Sequence, residues 1–98
     1  MKAALFTMTD PSITATPFVM VEDDKGNVKY YSKNKEQDKE DNRRAVDAKK
    51  TISDQSLLEY LMHGYSYYNI EILDYKGKNK DKINNLLVTL GHKELENK

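Results

Sequence analysis

Residues 18–32 read FVMVEDDKGNVKYYS and hold two apolar runs on either side of an acidic loop. Residues 18–21 are continuously apolar, which is typical of a strand buried on both faces. Residues 28–32 form the second run, and the loop between them contains Gly26, a residue suited to tight turns. Two strand-like runs around such a loop predict a β-hairpin, and this is the clearest strand signal in the chain.

Further strands are predicted on both sides of this hairpin. Residues 3–8 are apolar enough for a short strand, and the Asp-Pro-Ser sequence of residues 10–12 predicts a turn after it. Residues 67–75 alternate in character, which places Tyr68 and Ile70 on one face of a strand.

Two helices are predicted from apolar residues at helical spacing. Ser53 is expected to cap the first helix through its hydroxyl, and Gly64 is placed to end it. Gly91 stands where the second helix should stop. The apolar stripes are Leu57, Leu58 and Leu61 in the first helix and Ile83, Leu86, Leu87 and Leu90 in the second.

Residues 33–51 differ sharply from the rest of the chain. They hold seven basic and five acidic residues, and Val46 is their only strong core former. Pairs of opposite charge at helical spacing favour a solvated helix over about residues 41–50. The first half of the segment fits either a helix or a mobile linker.

These elements predict one small α+β domain over residues 1–98. We expect a small, mostly antiparallel sheet of three or four strands, including the hairpin near residues 18–32, with two or three helices packed on one face. Residues 33–51 form the highly charged helix or linker, and residues 92–98 a frayed tail.

Composition excludes several classes of protein. The 16 basic and 16 acidic residues balance, so no overall field attracts nucleic acid or an anionic membrane. No apolar stretch is long enough to span a bilayer, and the apolar run at the N-terminus is too short for a secretory leader. The absence of cysteine favours a cytoplasmic protein without disulfides or thiolate metal sites.

Catalytic and metal-binding patterns are weak. His63 and His92 each stand near the end of a predicted helix, where histidine is favourable without any further role. Glu59 and His63 share a helical face, but no second cluster supplies the remaining ligands of a metal site. We therefore expect no enzyme, no catalytic residues, no metal and no cofactor.

Tyrosine is the most unusual feature of the composition, with seven tyrosines against two phenylalanines and no tryptophan. Exposed tyrosines are typical anchors of protein interfaces because they are large, rigid and amphipathic. We expect Tyr31, Tyr65 and Tyr67 to bind a partner protein, with Lys76 and Lys78 at the rim. In a plainer interpretation, the rings only complete a small core.

Nucleic-acid binding is the alternative to a protein partner. Tyrosines can stack on the bases of a single strand while basic side chains contact its phosphates. The residues expected to contact phosphates are Arg43, Arg44 and Lys80, together with the lysines already named.

The function expected from the sequence is therefore a non-catalytic protein-interaction module. A bias toward Lys, Asn, Asp and Tyr is typical of AT-rich genomes, which fits a phage or mobile-element inhibitor or adaptor of a host macromolecule. Leu, Ile, Val and Phe make up only 21 of the 98 residues, so we also consider a homodimer.

Overall fold

The computed structural model describes residues 1–8, 16–53, 55–65 and 67–95. The turn predicted at residues 10–12 lies outside these ranges. In chain order, the elements are the strands β1 (Lys2–Met8), β2 (Phe18–Glu22) and β3 (Val28–Tyr31), the helices α1 (Lys35–Lys49) and α2 (Leu57–Met62), the strand β4 (Tyr68–Asp74) and the helix α3 (Lys78–Thr89).

The four strands form one antiparallel sheet in the order β3-β2-β1-β4. The predicted hairpin is present as β2 and β3, with Val19 opposite Tyr31. Its loop contains Gly26 at a φ of 80°, in the left-handed region that favours glycine. The α+β class with an antiparallel sheet and three helices is confirmed.

Strands β1 and β2 occupy the centre of the sheet and are buried on both faces. Successive side chains of a strand point to opposite faces, so each strand supplies two cores. The first core contains Ala4, Phe6, Phe18, Met20, Val28, Tyr30, Ala45, Leu57 and Leu58. The second core contains Ala3, Leu5, Val19, Val21, Tyr75, Ile83, Leu87 and Leu90.

The helices cover both faces of the sheet, not the single face expected from the sequence. Helices α1 and α2 pack on the first core, and α3 packs on the second. The physical reason is the continuously apolar character of the two central strands, which exposes apolar side chains to water unless both faces are covered.

Helix α1 continues without a break through the segment that the sequence left open between helix and linker. It begins at the N-cap Asn34, whose side chain accepts a 3.0 Å hydrogen bond from the Gln37 backbone N–H. Only Asp38 and Ala45 of its 15 residues are buried. None of the described helices, α1 included, is long and apolar enough to cross a membrane.

Polar side chains of α1 close the outer edge of β3. The Asn42 Oδ1 accepts a 2.7 Å hydrogen bond from the Tyr30 backbone N–H. One turn earlier, the Asp38 carboxylate accepts from the Ser32 backbone N–H at 2.9 Å and from the Ser32 hydroxyl at 2.7 Å. Helix α1 thus supplies acceptors for two backbone N–H groups, those of Tyr30 and Ser32, that a neighbouring strand would otherwise bond.

Helix α2 begins at Ser56, so the prediction of Ser53 as the cap is wrong. The Ser56 hydroxyl accepts a 3.0 Å hydrogen bond from the Glu59 backbone N–H. Ile52 packs against the first core from the connection between the helices, before α2 begins. A serine followed three residues later by glutamate is the pattern that marks this start.

The predicted frayed tail is also wrong for residues 92–95. Helix α3 ends with Gly91 at a φ of 87°, and the His92 N–H returns to the Leu87 carbonyl at 2.9 Å. The backbone N–H and C=O groups of Leu95 are both hydrogen-bonded. Its N–H donates to Asn84 Oδ1 at 2.9 Å, and its carbonyl accepts from the Tyr75 hydroxyl at 2.8 Å.

Asn42→Ala is expected to lower the free energy of unfolding by about 1–2 kcal/mol, because it leaves the Tyr30 N–H without its partner. Asn85→Ala on α3 is the matched control, since Asn85 is exposed and the change in helix propensity is the same. Urea denaturation measures both. A loss in Asn42→Ala no larger than in the control would show that this bond does not hold the edge.

Ser56→Ala is expected to destabilise the protein by about 1 kcal/mol through loss of the helix cap. Ser53→Ala should change the free energy of unfolding by no more than about 0.5 kcal/mol. Thermal denaturation of the two variants compares the positions directly, and a larger effect at Ser53 would contradict the assignment.

Candidate functional site

A groove lies between α1 and the segment formed by α2 and the residues after it. Its volume is about 600 Å³, and we call it the tyrosine groove. Tyr60 stands at its outer wall with 45% of its surface exposed. The full lining is Tyr30, Arg44, Ala48, Tyr60, Leu61, His63, Gly64 and Tyr65.

The inner wall of the groove is anchored in the first core. Tyr65 packs edge-on against Phe6 and Phe18, with ring centroids 5.4 and 4.9 Å apart. The two phenylalanine rings stack on each other at 4.3 Å. Edge-to-face and offset-stacked pairs are the favourable geometries for aromatic rings. Tyr65 is therefore held at a fixed position although it belongs to a connection between elements.

Charge at the groove is balanced by an ion pair within α1. Arg44 bonds to Asp41 one turn earlier, and this hydrogen bond raises the pKa of the Arg44 guanidinium. Asp41 extends the site into an adjoining cavity of about 270 Å³, which shares Tyr30, Arg44 and Tyr65 with the groove. The site thus presents fixed polar groups without a net charge of its own.

Two tyrosines of the site, the buried Tyr30 and the half-buried Tyr65, remain neutral phenols. Burial raises the pKa of Tyr30 far above its ordinary value of 10.0, and Tyr65 beside it adds to the shift. Burial also raises the pKa of Tyr65, with the negative charge of Asp41 as a second cause. A neutral phenol donates a hydrogen bond and does not act as a nucleophile near neutral pH. The chemistry available here is hydrogen bonding and aromatic contact.

Metal ligands do not converge in the described part of the chain. Among those residues, no group of three or more histidine, aspartate and glutamate side chains is placed to hold a metal ion. His63 lines the groove, whereas His92 lies at the end of β3, where its Nε2 is 2.7 Å from the Ser32 carbonyl oxygen and 3.4 Å from the Asp38 carboxylate.

Of the three predicted anchor tyrosines, only Tyr65 lines the groove. Tyr31 lies on the face covered by α3, partly buried against the second core and edge-on to His92 at 5.1 Å. Tyr67 is 64% exposed but precedes β4 instead of lying within it. Since β3 and β4 form opposite edges of the sheet, Tyr31 and Tyr67 are at least about 14 Å apart and do not share one surface.

None of the predicted lysines lines the groove. Lys76 follows β4, with its Nζ 4.0 Å from the Asp74 carboxylate. Lys78 is the first residue of α3. Lys80 lies over the Tyr75 ring, 5.6 Å from its centroid.

The residues predicted for nucleic-acid binding are therefore divided between two faces. Arg43 and Arg44 belong to α1 and are paired with Glu40 and Asp41. Lys80 belongs to α3, which packs on the opposite core. The structure brings Arg44 together with Tyr65, but it does not bring Lys80 to either arginine.

Sequence reasoning missed Tyr60 and Tyr30 as residues of the site. The available signal for Tyr60 was its position beside the Leu57, Leu58 and Leu61 stripe, which predicts an outward-facing ring at helical spacing. The Tyr30 ring lies in the first core, and its nearness to α1 depends on β3 being an edge strand, which is not visible in local sequence.

Comparisons with known proteins give this chain no relatives, since no family model matches it and neither a curated protein nor a solved structure is similar to it. The site must therefore be interpreted from its own geometry.

Tyr30→Phe is expected to reduce the alkaline sensitivity of the fold. Because the folded-state pKa of Tyr30 is raised, its contribution to stability is complete below the unfolded value near 10 and is lost as the pH rises above it. At pH 11 the difference amounts to about 1 kcal/mol in the native chain. Urea titrations at pH 8 and pH 11 should show a smaller fall for Tyr30→Phe. Tyr67→Phe, at an exposed position, serves as the control, and equal falls in both variants would contradict the assignment.

Proposed function

We propose that the chain is a non-catalytic protein-interaction module that binds its partner through the tyrosine groove. The observation that supports this proposal is the composition of the groove, where tyrosine rings and Arg44 surround a floor containing Ala48 and Leu61. Tyrosine and arginine are enriched among the residues that contribute most to binding at protein interfaces.

The partner's chemistry follows from the groups available in the groove. Ala48 and Leu61 offer apolar contact, which suits an inserted aliphatic or aromatic side chain. The phenol hydroxyls and the Arg44 guanidinium are donors, which suits backbone carbonyl or carboxylate acceptors around that side chain. We infer a partner segment with one apolar anchor flanked by acceptor groups.

The biological role we propose is inhibition or recruitment of another macromolecule in the cytoplasm. Such a protein acts by occupying a surface, which needs no catalytic group. We also propose a phage or mobile-element origin, which rests on the amino-acid composition.

Nucleic-acid binding stays a weaker alternative. Its basic residues are divided between α1 and α3, on opposite faces of the sheet, so a single strand would not contact all of them along one path. The test below therefore includes an oligonucleotide.

The proposal is tested by replacing Tyr60 with a benzophenone amino acid and irradiating cells that produce the protein. The same amino acid at Val88, which is 55% exposed on α3, gives the matched control. We expect one dominant protein adduct from position 60 and none of that mass from position 88. Equal patterns at the two positions would contradict a role for the groove.

Competition separates specific binding from proximity. Unlabelled native protein and the Val88→Ala variant, added in excess as competitors, should suppress the adduct. The Tyr60→Ala variant should need a concentration at least about tenfold higher for the same suppression. Tyr60 is exposed, so its truncation leaves the core intact. Binding of a fluorescent single-stranded oligonucleotide at low salt, weakening with a log–log slope of about −0.7 per phosphate contact, would favour the alternative.

A further inference from the structure

The two outer edges of the sheet differ in their hydrogen bonding. Side chains of α1 close the edge of β3, as described above. Strand β4 pairs with β1 on one side only, and none of its seven residues is buried. Ile72, near its middle, is 49% exposed. An uncovered strand edge is a template for pairing with another strand.

The register identifies which backbone groups of β4 point outward. The Tyr75 N–H donates to the Met1 carbonyl at 2.9 Å, and these two residues are directly opposed when the β1–β4 register is continued. Hydrogen-bonded and non-hydrogen-bonded pairs alternate along an antiparallel ladder. The residues whose N–H and C=O groups point away from β1 are therefore Tyr68, Ile70, Ile72 and Asp74.

Two of these outward groups already have partners within the chain. The Tyr68 N–H donates to the Tyr65 carbonyl at 3.2 Å, and the Asp74 carbonyl accepts from the Lys76 N–H at 2.9 Å. No hydrogen bond of the remaining groups is found within the described part of the chain. These groups are the N–H of Ile70, Ile72 and Asp74 and the C=O of Tyr68, Ile70 and Ile72.

We propose that β4 pairs antiparallel with β4 of a second copy, about a two-fold axis at Glu71, joining two four-stranded sheets into one. In this register, Ile70 lies opposite the second copy's Ile72 and exchanges both hydrogen bonds with it. The Asp74 N–H donates to the second copy's Tyr68 carbonyl. Every outward N–H and C=O group of β4 that has no partner within its own chain then bonds to the second copy. The two outward groups that do not bond to the second copy are the Tyr68 N–H and the Asp74 carbonyl, which are already bonded within each chain.

Side chains also fit this register. On one face, Ile70 of each copy covers the exposed Ile72 of the other, which removes apolar surface from water. On the opposite face, Glu71 meets the second copy's Glu71. Each of these carboxylates is paired with Lys82 of its own chain, so four charges that sum to zero surround the axis.

The assembly closes at two copies because, within the described residues, β4 is the sheet edge to which no helix side chain is hydrogen-bonded. Pairing through β4 uses that edge in both copies, and the β3 edges are occupied by α1. A two-fold contact of this kind leaves no strand free for further growth. The surface is separate from the tyrosine groove, since none of the residues lining the groove belongs to β4, and Tyr68 at the start of β4 lines only the adjoining cavity.

Cysteine cross-linking tests the register directly, because the chain has no cysteine of its own. In Glu71→Cys, the two introduced residues form a non-hydrogen-bonded pair with Cα atoms about 4.5 Å apart, within the range of a disulfide. In the matched control Asn69→Cys, the two residues are about 14 Å apart. Under mild oxidation we expect Glu71→Cys to form the covalent dimer at least about tenfold faster. Equal rates, or a faster Asn69→Cys, would overturn the proposal.

Sedimentation equilibrium of the native chain provides the second measurement, with a reversible monomer–dimer equilibrium expected. Ile72→Pro removes two intermolecular hydrogen bonds per dimer at an edge position that tolerates proline, and should weaken dimerisation roughly tenfold or more. Ile72→Thr keeps the N–H and the β-branched shape and should weaken it less. A native chain that stays monomeric, or equal effects of both folded variants, would overturn the proposal. Should Ile72→Pro fail to fold, the cysteine comparison decides alone.

Discussion

The structure depends on the hydrogen bonds between the side chains of α1 and the outer edge of β3. Helix α1 buries little apolar surface, and Ala45 is its only fully buried hydrophobic residue. The carboxamide of Asn42 and the carboxylate of Asp38 therefore fix its position against the sheet. A bond to a charged acceptor is stronger than a neutral one, and losing either partner leaves a backbone N–H unsatisfied. Polar contacts hold α1 against the sheet, whereas most helices are held by apolar packing.

The shape of the tyrosine groove depends on these hydrogen bonds between α1 and β3. One wall of the groove is α1, which supplies Arg44 and Ala48, and the other follows α2. Tyr30 joins the two because its backbone is held by Asn42 while its ring packs in the first core. The spacing between the walls is thus set by hydrogen bonds at the strand edge. Helix α1, although highly charged and mostly exposed, therefore forms one wall of the tyrosine groove.

Local sequence was sufficient for most elements and insufficient for their arrangement. The hairpin and the stop at Gly91 follow from turn chemistry and periodicity within a few residues, and both predictions were right. The separation of Tyr31 from Tyr67 follows from the strand order, which depends on a pairing between β1 and β4 that no local pattern encodes. The coverage of both faces by helices has a different cause, the continuously apolar runs of β1 and β2, which the prediction of a single covered face does not take into account.

The candidate site shows the same limit at the level of single residues. Tyr65, predicted as a partner-binding residue, lines the groove, and its role there stays a prediction. Tyr60 lies outside the predicted site because the apolar stripe of α2 indicates only the inward-facing positions. The prediction places the cap at Ser53 because Asp54 follows it and Ile52 precedes it, whereas the glutamate three residues after Ser56 marks the actual cap.

The position of β1 between β2 and β4 has a consequence for the order in which the protein folds. The hairpin and β1 are close in sequence, so they can associate as soon as they are synthesised, whereas β4 follows more than 40 residues after β2. Until residues 78–90 leave the ribosome, Leu5 and Val19 have no helix above them. During that interval one face of the nascent sheet is apolar and open, which makes it a substrate for chaperones and a site of misassociation. The yield of folded protein should therefore depend on the rate of synthesis and on the supply of chaperones, even if the folded chain is stable.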